Sequence, residues 1–138
     1  MYSTSLSLYF ENAAGRLLEH PDQYVIFQYH PGKRKFTDLQ ALLTHTGILL
    51  RRNNWHKLLG DQRLMVPFTE EESKWIVEYW LDGPQQRAGG LYGAILVAHD
   101  VFARLSMSQI MHEAQAASLT YRPFENEKEA ATWLRQIP

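Results

Sequence analysis

The stretch that decides the fold is Leu-Tyr-Gly-Ala-Ile-Leu-Val-Ala at residues 91–98, which is almost continuously apolar. A run of this length without polar alternation is typical of a central strand that is covered on both faces. Helices are therefore expected on both faces of the sheet to which this strand belongs.

Strand and helix patterns alternate around this central strand. Further strands are predicted at residues 6–11, 16–19, 24–29, 57–66 and 120–124. Helices are predicted to begin at the capping boxes Thr37–Gln40, Thr69–Glu72 and Ser106–Gln109 and at the cap residue Asn126. Alternation of this kind predicts right-handed crossovers in a mostly parallel sheet, to which the leading strands add an antiparallel edge. The predicted fold class is α/β, with a mixed sheet in a single domain spanning residues 1–138.

The composition is that of one globular domain. The chain has 138 residues, of which 45% are hydrophobic and 21% charged, with a net charge of −1 and no cysteine. A net charge near zero provides no long-range field toward nucleic acid or an anionic membrane. The lack of cysteine fits a reducing compartment, and neither a signal peptide nor a spanning segment is evident. We expect a cytoplasmic protein without nucleic acid partners and without integral membrane association.

Several segments together resemble the SpoIIAA-like group of STAS-type domains. They are a leading β-meander ending near Tyr29, the sequence KLLGDQR at residues 57–63 before a tryptophan-bearing helix, AILVA at 94–98, and FENE at 124–127 leading to Trp133. The likeness covers nearly the whole chain and suggests a small bacterial STAS-like protein. It implies a non-enzymatic interaction or regulatory module that acts through protein binding or self-association.

The resemblance also bears on phosphorylation and on ligands. Anti-anti-sigma STAS domains carry a phosphorylatable serine at the start of the helix after the strand equivalent to residues 57–66. Thr69 takes roughly that place here, but the serine, aspartate and glycine of the family's turn are missing, so we expect Thr69 to be a helix cap. Relatives of the group have been likened to lipid-transfer domains, which implies a small apolar ligand or lipid-carrier-like function as the alternative.

One candidate ligand rim is predicted where strands end. Asp61 and Arg63 lie on or near one strand, His99 and Asp100 directly follow the central strand, and Thr69 opens the next helix. Open α/β sheets bind ligands beyond the carboxyl ends of their strands, so these side chains could line a pocket. The alternative is that ion pairs and loop hydrogen bonds account for all of them.

A possible protein interface lies on the helix that follows Thr69. Its apolar side chains, placed at 100° per residue, cover about 240° of the circumference, more than one sheet face needs. Trp75 and Tyr79 are expected to form a partner or homodimer surface, while Ile76 and Trp80 face the core. The alternatives are that Trp75 and Tyr79 form the wall of a ligand pocket, or that they only lie half-exposed at the domain edge.

A possible anion site is formed by Lys33, Arg34 and Lys35 with Thr37. These residues place positive charge just before a helix N-terminus, where free N–H groups also attract anions. The alternative is a solvated turn that folding does not require. The sequence contains no recognisable nucleophile–base set, zinc-like histidine spacing or nucleotide-binding loop, so we predict no catalytic site, cofactor or metal.

Overall fold

The computed structural model describes residues 6–81, 90–114 and 119–138. Its strands are β1 (Ser7–Asn12), β2 (Gly15–His20), β3 (Tyr24–Tyr29), β4 (Lys57–Asp61), β5 (Leu91–Leu96) and β6 (Leu119–Phe124). Its α-helices are α1 (Phe36–Asn53), α2 (Glu70–Trp75), α3 (Val101–Ala114) and α4 (Glu127–Gln136), and a π-helical segment, Ile76–Leu81, continues α2. The predicted order of strands and helices along the chain is confirmed, and the fold is a single α/β domain.

The six strands form one mixed sheet in the order β1-β2-β3-β4-β5-β6. The pairs β1–β2 and β2–β3 are antiparallel, and every later pair is parallel. The predicted antiparallel edge is therefore confirmed. Because the strand order never reverses between β3 and β6, the sheet has no switch point of the kind that forms the usual ligand crevice.

The helices divide unequally between the two faces of the sheet. Right-handed crossovers that advance in one direction place all the connecting helices on the same face. Accordingly, α1, the α2 segment with its π-helical continuation, and α3 share one hydrophobic core with residues such as Val25, Phe27 and Tyr29 of β3. The C-terminal helix α4 covers the opposite face, where Ala130 and Leu134 pack on Ile26 and Leu59. The central strand is thus covered on both faces, as its composition predicts.

Two predicted boundaries near the first crossover are wrong. α1 begins at Phe36, with Lys35 as an N-cap residue whose side chain makes no capping hydrogen bond, so Thr37 does not open the helix. β4 ends at Asp61 instead of Val66, because Met65 N–H donates to the Gln62 carbonyl at 3.0 Å and closes a turn there. The turn sends the chain out of the sheet and toward α2.

Candidate functional site

Polar side chains form a row across the strand ends on the face that α4 covers. Arg16 pairs in register with Gln28, and Gln28 pairs with Asp61 on the neighbouring strand. Arg16 Nε donates to Gln28 Oε1 at 2.6 Å, and Gln28 Nε2 lies 3.4 Å from Asp61 Oδ2. Residues that are adjacent in register on one face of a sheet interact in this way. The row leads from the second strand to the carboxyl end of β4.

Asp61 and Arg63 form the charged centre of this site. The Arg63 side chain donates through Nε to Asp61 Oδ1 at 3.0 Å and through Nη2 to Oδ2 at 2.9 Å, and the Arg63 backbone N–H also donates to Oδ1 at 3.2 Å. The Asp61 side chain is only 4% exposed. A buried carboxylate is stable only when charge-assisted hydrogen bonds replace its hydration. The ion pair that the sequence left as an alternative is therefore present.

His99 completes the rim from the neighbouring loop. Its backbone N–H donates to the Arg63 carbonyl at 3.0 Å, which ties the segment after β5 to the segment after β4. Together these residues surround a depression of about 210 Å³, lined by Gln28, Tyr29, Asp61, Arg63, Leu64 and His99. The structure thus brings together Asp61, Arg63 and His99 of the predicted rim.

The other two predicted rim residues cap helices. Asp100 Oδ1 accepts from the backbone N–H groups of Phe102 at 2.8 Å and Ala103 at 3.0 Å, so Asp100 opens α3. Thr69 Oγ1 accepts from Glu72 N–H at 3.1 Å, and Glu72 Oε1 accepts from Thr69 N–H at 2.9 Å. The Thr69–Glu72 capping box is confirmed. Neither Thr69 nor Asp100 is among the residues that line the depression.

The Asp100 cap also corrects the predicted start of α3. Ser106 lies inside the helix, where its hydroxyl donates to the Ala103 carbonyl at 2.9 Å and accepts from Phe68 N–H at 3.2 Å. The prediction that Ser106 opens the helix is therefore wrong. Ser106 instead fastens α3 to the segment that precedes α2.

The predicted anion site is divided by a buried ion pair. Arg34 donates to both Glu72 carboxylate oxygens at 2.9 Å and to the carbonyls of Val66 and Pro67 at 3.2 Å. Both charged side chains are only 3% exposed. In contrast, Lys33, Lys35 and Thr37 are exposed. The anion that Arg34 binds in this structure is a carboxylate of the chain itself, and the expectation of a wholly solvated basic turn is wrong for Arg34.

The predicted interface residues stack on each other. The rings of Trp75 and Tyr79 lie 4.6 Å apart and nearly parallel, at an angle of 12°, and Phe36 meets Trp75 edge-on. Trp75 and Tyr79 are half-buried, whereas Ile76 and Trp80 are buried as predicted. Because the helix is π-helical from Ile76, the angular estimate at 100° per residue does not apply beyond α2. A role for Trp75 and Tyr79 in an interface remains a prediction.

An exposed apolar surface lies at the start of α3. Val101, Phe102 and Leu105 are 67%, 68% and 57% exposed, and we call these residues the α3 patch. This patch was not predicted, because a helix beginning at Ser106 would have left these residues outside it. With Asp100 recognised as the cap, their spacing places them on the face opposite to the buried residues Ala103 and Met107.

The main core leaves little internal space. A cavity of about 40 Å³ lies among side chains that include Phe27, Trp80 and Tyr121. Pockets for small apolar ligands usually measure roughly 300–1,000 Å³. The interior of this core is filled by its own side chains, so the lipid-carrier alternative receives no support from this cavity.

No family model, curated protein or solved structure matches this chain. Among the described residues, no helix is long and apolar enough to cross a membrane. The same residues contain no group of three or more histidine, aspartate or glutamate side chains that could hold a metal ion. The STAS resemblance rests on sequence pattern alone, and its functional consequences are proposals.

Glu127 gives the site a testable pH dependence. Its Oε2 atom is buried without a hydrogen-bond partner among the described residues, and it lies 4.0 Å from Arg63 Nη2. Burial raises the pKa of Glu127 above its ordinary value of 4.5, an effect that Arg63 opposes and Asp61 reinforces. The folded protein therefore holds this proton more tightly than the unfolded chain does.

We expect Glu127→Gln to become more stabilising, relative to wild type, as pH rises above 4.5. A carboxyl whose pKa is raised on folding costs stability only when it is ionised, so the cost is absent below its ordinary pKa and grows through the raised value. Denaturant unfolding of both proteins at a series of pH values measures the difference. Glu129→Gln, two residues further along α4 at an exposed position, is the control. A difference that shrinks with rising pH would contradict the assignment.

Proposed function

We propose that this protein is a non-enzymatic interaction or regulatory module of STAS type that acts by binding a protein partner or a second copy of itself. The observation that carries the proposal is the α3 patch, in which Val101, Phe102 and Leu105 are all more than half exposed. Contiguous apolar surface costs free energy in water and is typical of sites where another protein binds. An aromatic residue at the centre of such a surface is a common anchor for binding.

The pairing of the buried carboxylates supports a structural role more than a catalytic one. Asp61 is engaged by Arg63, and Glu72 by Arg34, through charge-assisted hydrogen bonds. A general base must be positioned to take a proton from a substrate, and in both pairs the guanidinium binds both oxygens of the carboxylate, which is therefore not free to contact a substrate. This pairing favours a binding module over an enzyme.

The two loops that carry the site also position the α3 patch. The His99 N–H to Arg63 carbonyl bond fastens the segment after β5, and Asp100 then caps the helix on which the patch lies. A rigid support lowers the entropy that a binding surface loses when a partner docks. We therefore assign Asp61, Arg63 and His99 a positioning role for the interaction surface.

Site-specific photo-crosslinking tests the proposal. A photoreactive phenylalanine analogue in place of Phe102 is expected to give a discrete crosslinked product in host cells, whereas the same analogue at the exposed residue Leu8 on β1 is not. The crosslinked protein, once identified, is then expected to bind the purified wild type and to bind Phe102→Asp at least about tenfold more weakly. Thermal unfolding checks that this variant folds normally.

The proposal fails if the analogue at Phe102 gives no crosslinked product, or gives only products that the analogue at Leu8 also gives. It also fails if Phe102→Asp binds the identified partner as tightly as wild type does. A crosslink between two copies of the chain would identify self-association as the interaction.

A further inference from the structure

The edge strand β6 has a defined set of outward-facing backbone groups. Val97 N–H donates to the Phe124 carbonyl at 3.1 Å, which orients Phe124 toward β5. Because the backbone groups of successive strand residues point to opposite sides, Thr120 and Arg122 also face β5. Leu119, Tyr121 and Pro123 therefore direct their backbone groups away from the sheet.

These outward groups have no strand to pair with in the described part of the chain, where β6 is the last strand of the sheet. They comprise the N–H groups of Leu119 and Tyr121 and the carbonyls of Leu119, Tyr121 and Pro123. Proline has no N–H group and is found on edge strands with its nitrogen directed outward. The position of Pro123 fits this rule and leaves a short edge that can still donate at two residues.

A groove runs between this edge and α3. It has a volume of about 650 Å³ and is lined by Ser108, Met111 and His112 of α3 together with Leu119, Thr120, Tyr121 and Pro123 of the β6 edge. Side chains from a strand added beside β6 would have room in this groove. An exposed edge next to a groove is the arrangement by which sheets accept an additional extended strand.

We propose that β6 pairs antiparallel with β6 of a second copy of this chain, so that two sheets join into one. This inference deepens the proposed function by naming a second copy as a partner, but it uses a surface separate from the α3 patch. When the same edge of both copies pairs, the assembly stops at a dimer. Pairing of β6 with β1 of another copy would instead leave one free edge at each end, so the assembly would continue to grow by adding further copies.

The backbone groups of β6 are complementary to their own copy. With the two-fold axis beside Tyr121, Tyr121 N–H meets its own counterpart's carbonyl and Leu119 N–H meets the carbonyl of Pro123 in the other copy. With the axis beside Thr120, the N–H group of Leu119 donates to the Tyr121 carbonyl of the other copy, and the N–H group of Tyr121 donates to the Leu119 carbonyl of the other copy. In both registers every outward N–H group of β6 lies opposite a carbonyl acceptor of the other copy. Pro123 has no N–H group, so its nitrogen adds no unpaired donor.

The charge of Arg122 distinguishes between the possible registers of the pair. A register centred on Arg122 would place two arginines opposite each other and would leave Leu119 N–H without an acceptor in the paired strand, so it is disfavoured. In the register centred on Tyr121, Arg122 lies opposite Thr120 instead. The net charge of −1 means that two copies repel each other little as they approach.

Amide hydrogen exchange, resolved by residue with NMR, is the first test. The amides of Leu119 and Tyr121 are expected to exchange at least about tenfold more slowly at high protein concentration than at low concentration, because pairing protects them only in the dimer. The amides of Thr120 and Arg122 already bond to β5 and are expected to be protected at both concentrations. Concentration-independent exchange at Leu119 and Tyr121 would overturn the inference.

Sedimentation of matched variants is the second test. Thr120→Lys places like charges opposite each other in both allowed registers and is expected to raise the dimer dissociation constant several-fold. Thr37→Lys, which adds the same charge at an exposed position of α1, is expected to leave it unchanged. Phe102→Asp should also dimerise normally, since the α3 patch is a different surface.

The outcomes separate this inference from the proposed function. Loss of the dimer in Phe102→Asp but not in Thr120→Lys would overturn β6 pairing while supporting the α3 patch as the interface. A chain that stays monomeric, or that grows beyond a dimer, would overturn the inference and leave the crosslinking test of the α3 patch to stand by itself.

Discussion

Replacing Arg34 with methionine is expected to lower the free energy of unfolding by about 3–5 kcal/mol, because it leaves the Glu72 carboxylate buried without its counter-charge. Both side chains are 3% exposed, so water cannot restore the lost hydrogen bonds without opening the structure. The guanidinium also lies over the rings of Tyr29 and Phe68, at 5.7 and 5.1 Å from their centroids. Equilibrium denaturant unfolding measures the loss.

Two comparisons separate the ion pair from general effects of the basic turn. Lys33→Met removes an exposed charge next to Arg34 and is expected to change stability by less than about 0.5 kcal/mol. The double variant Arg34→Met, Glu72→Met removes both buried charges and is expected to recover part of the loss, because an apolar pair of similar volume can replace a buried ion pair. An Arg34→Met protein as stable as Lys33→Met would show that the pair contributes nothing.

Truncating Trp80 to alanine is expected to cost about 3–5 kcal/mol, because it removes a large side chain from the main core and leaves a cavity. Trp80 is 4% exposed, and its Nε1 donates to the Tyr121 hydroxyl at 2.6 Å. Burial raises the pKa of that tyrosine to about 12, so its hydroxyl stays protonated at neutral pH while it accepts this bond. Calorimetry or thermal circular dichroism measures the change.

Trp75→Ala is the matched control, since the same residue type is removed from a half-buried position five residues earlier in the chain. It is expected to cost clearly less than Trp80→Ala. Trp80→Phe keeps most of the apolar volume and loses the hydrogen bond, so its loss is expected to lie between those of wild type and Trp80→Ala. A Trp75→Ala protein less stable than Trp80→Ala would contradict the assignment of the core face.

The parts of the fold that follow from short-range pattern were predicted correctly. The apolar run at residues 91–98 indicated a strand covered on both faces, and the structure places α3 and α4 on opposite sides of it. The Thr69–Glu72 box and the Asn126 cap are present as predicted, because each is a contact between residues only three positions apart.

The start of α3 was predicted at Ser106, whereas Asp100 caps the helix in the structure. Aspartate and serine are about equally good N-cap residues, so residue type does not distinguish the two positions. Packing decides between them, because beginning at Asp100 allows Ala103 as well as Met107 to reach the core. The exposed α3 patch is a consequence of that choice and was missed for the same reason.

The sequence by itself determined the class of fold and the order of its elements, because periodicity and strand ends are properties of neighbouring residues. Of the five residues predicted for the rim, the tertiary structure brings Asp61, Arg63 and His99 together and uses Thr69 and Asp100 as helix caps. Only the tertiary structure decided that Arg34 is bound by Glu72, 38 residues away, and that β6 lies at the edge of the sheet. When two residues that are distant in sequence pair with each other, the sequence around each of them does not indicate the pairing. Which charge is buried, and which strand lies at the edge of the described sheet, depends on how the whole chain packs.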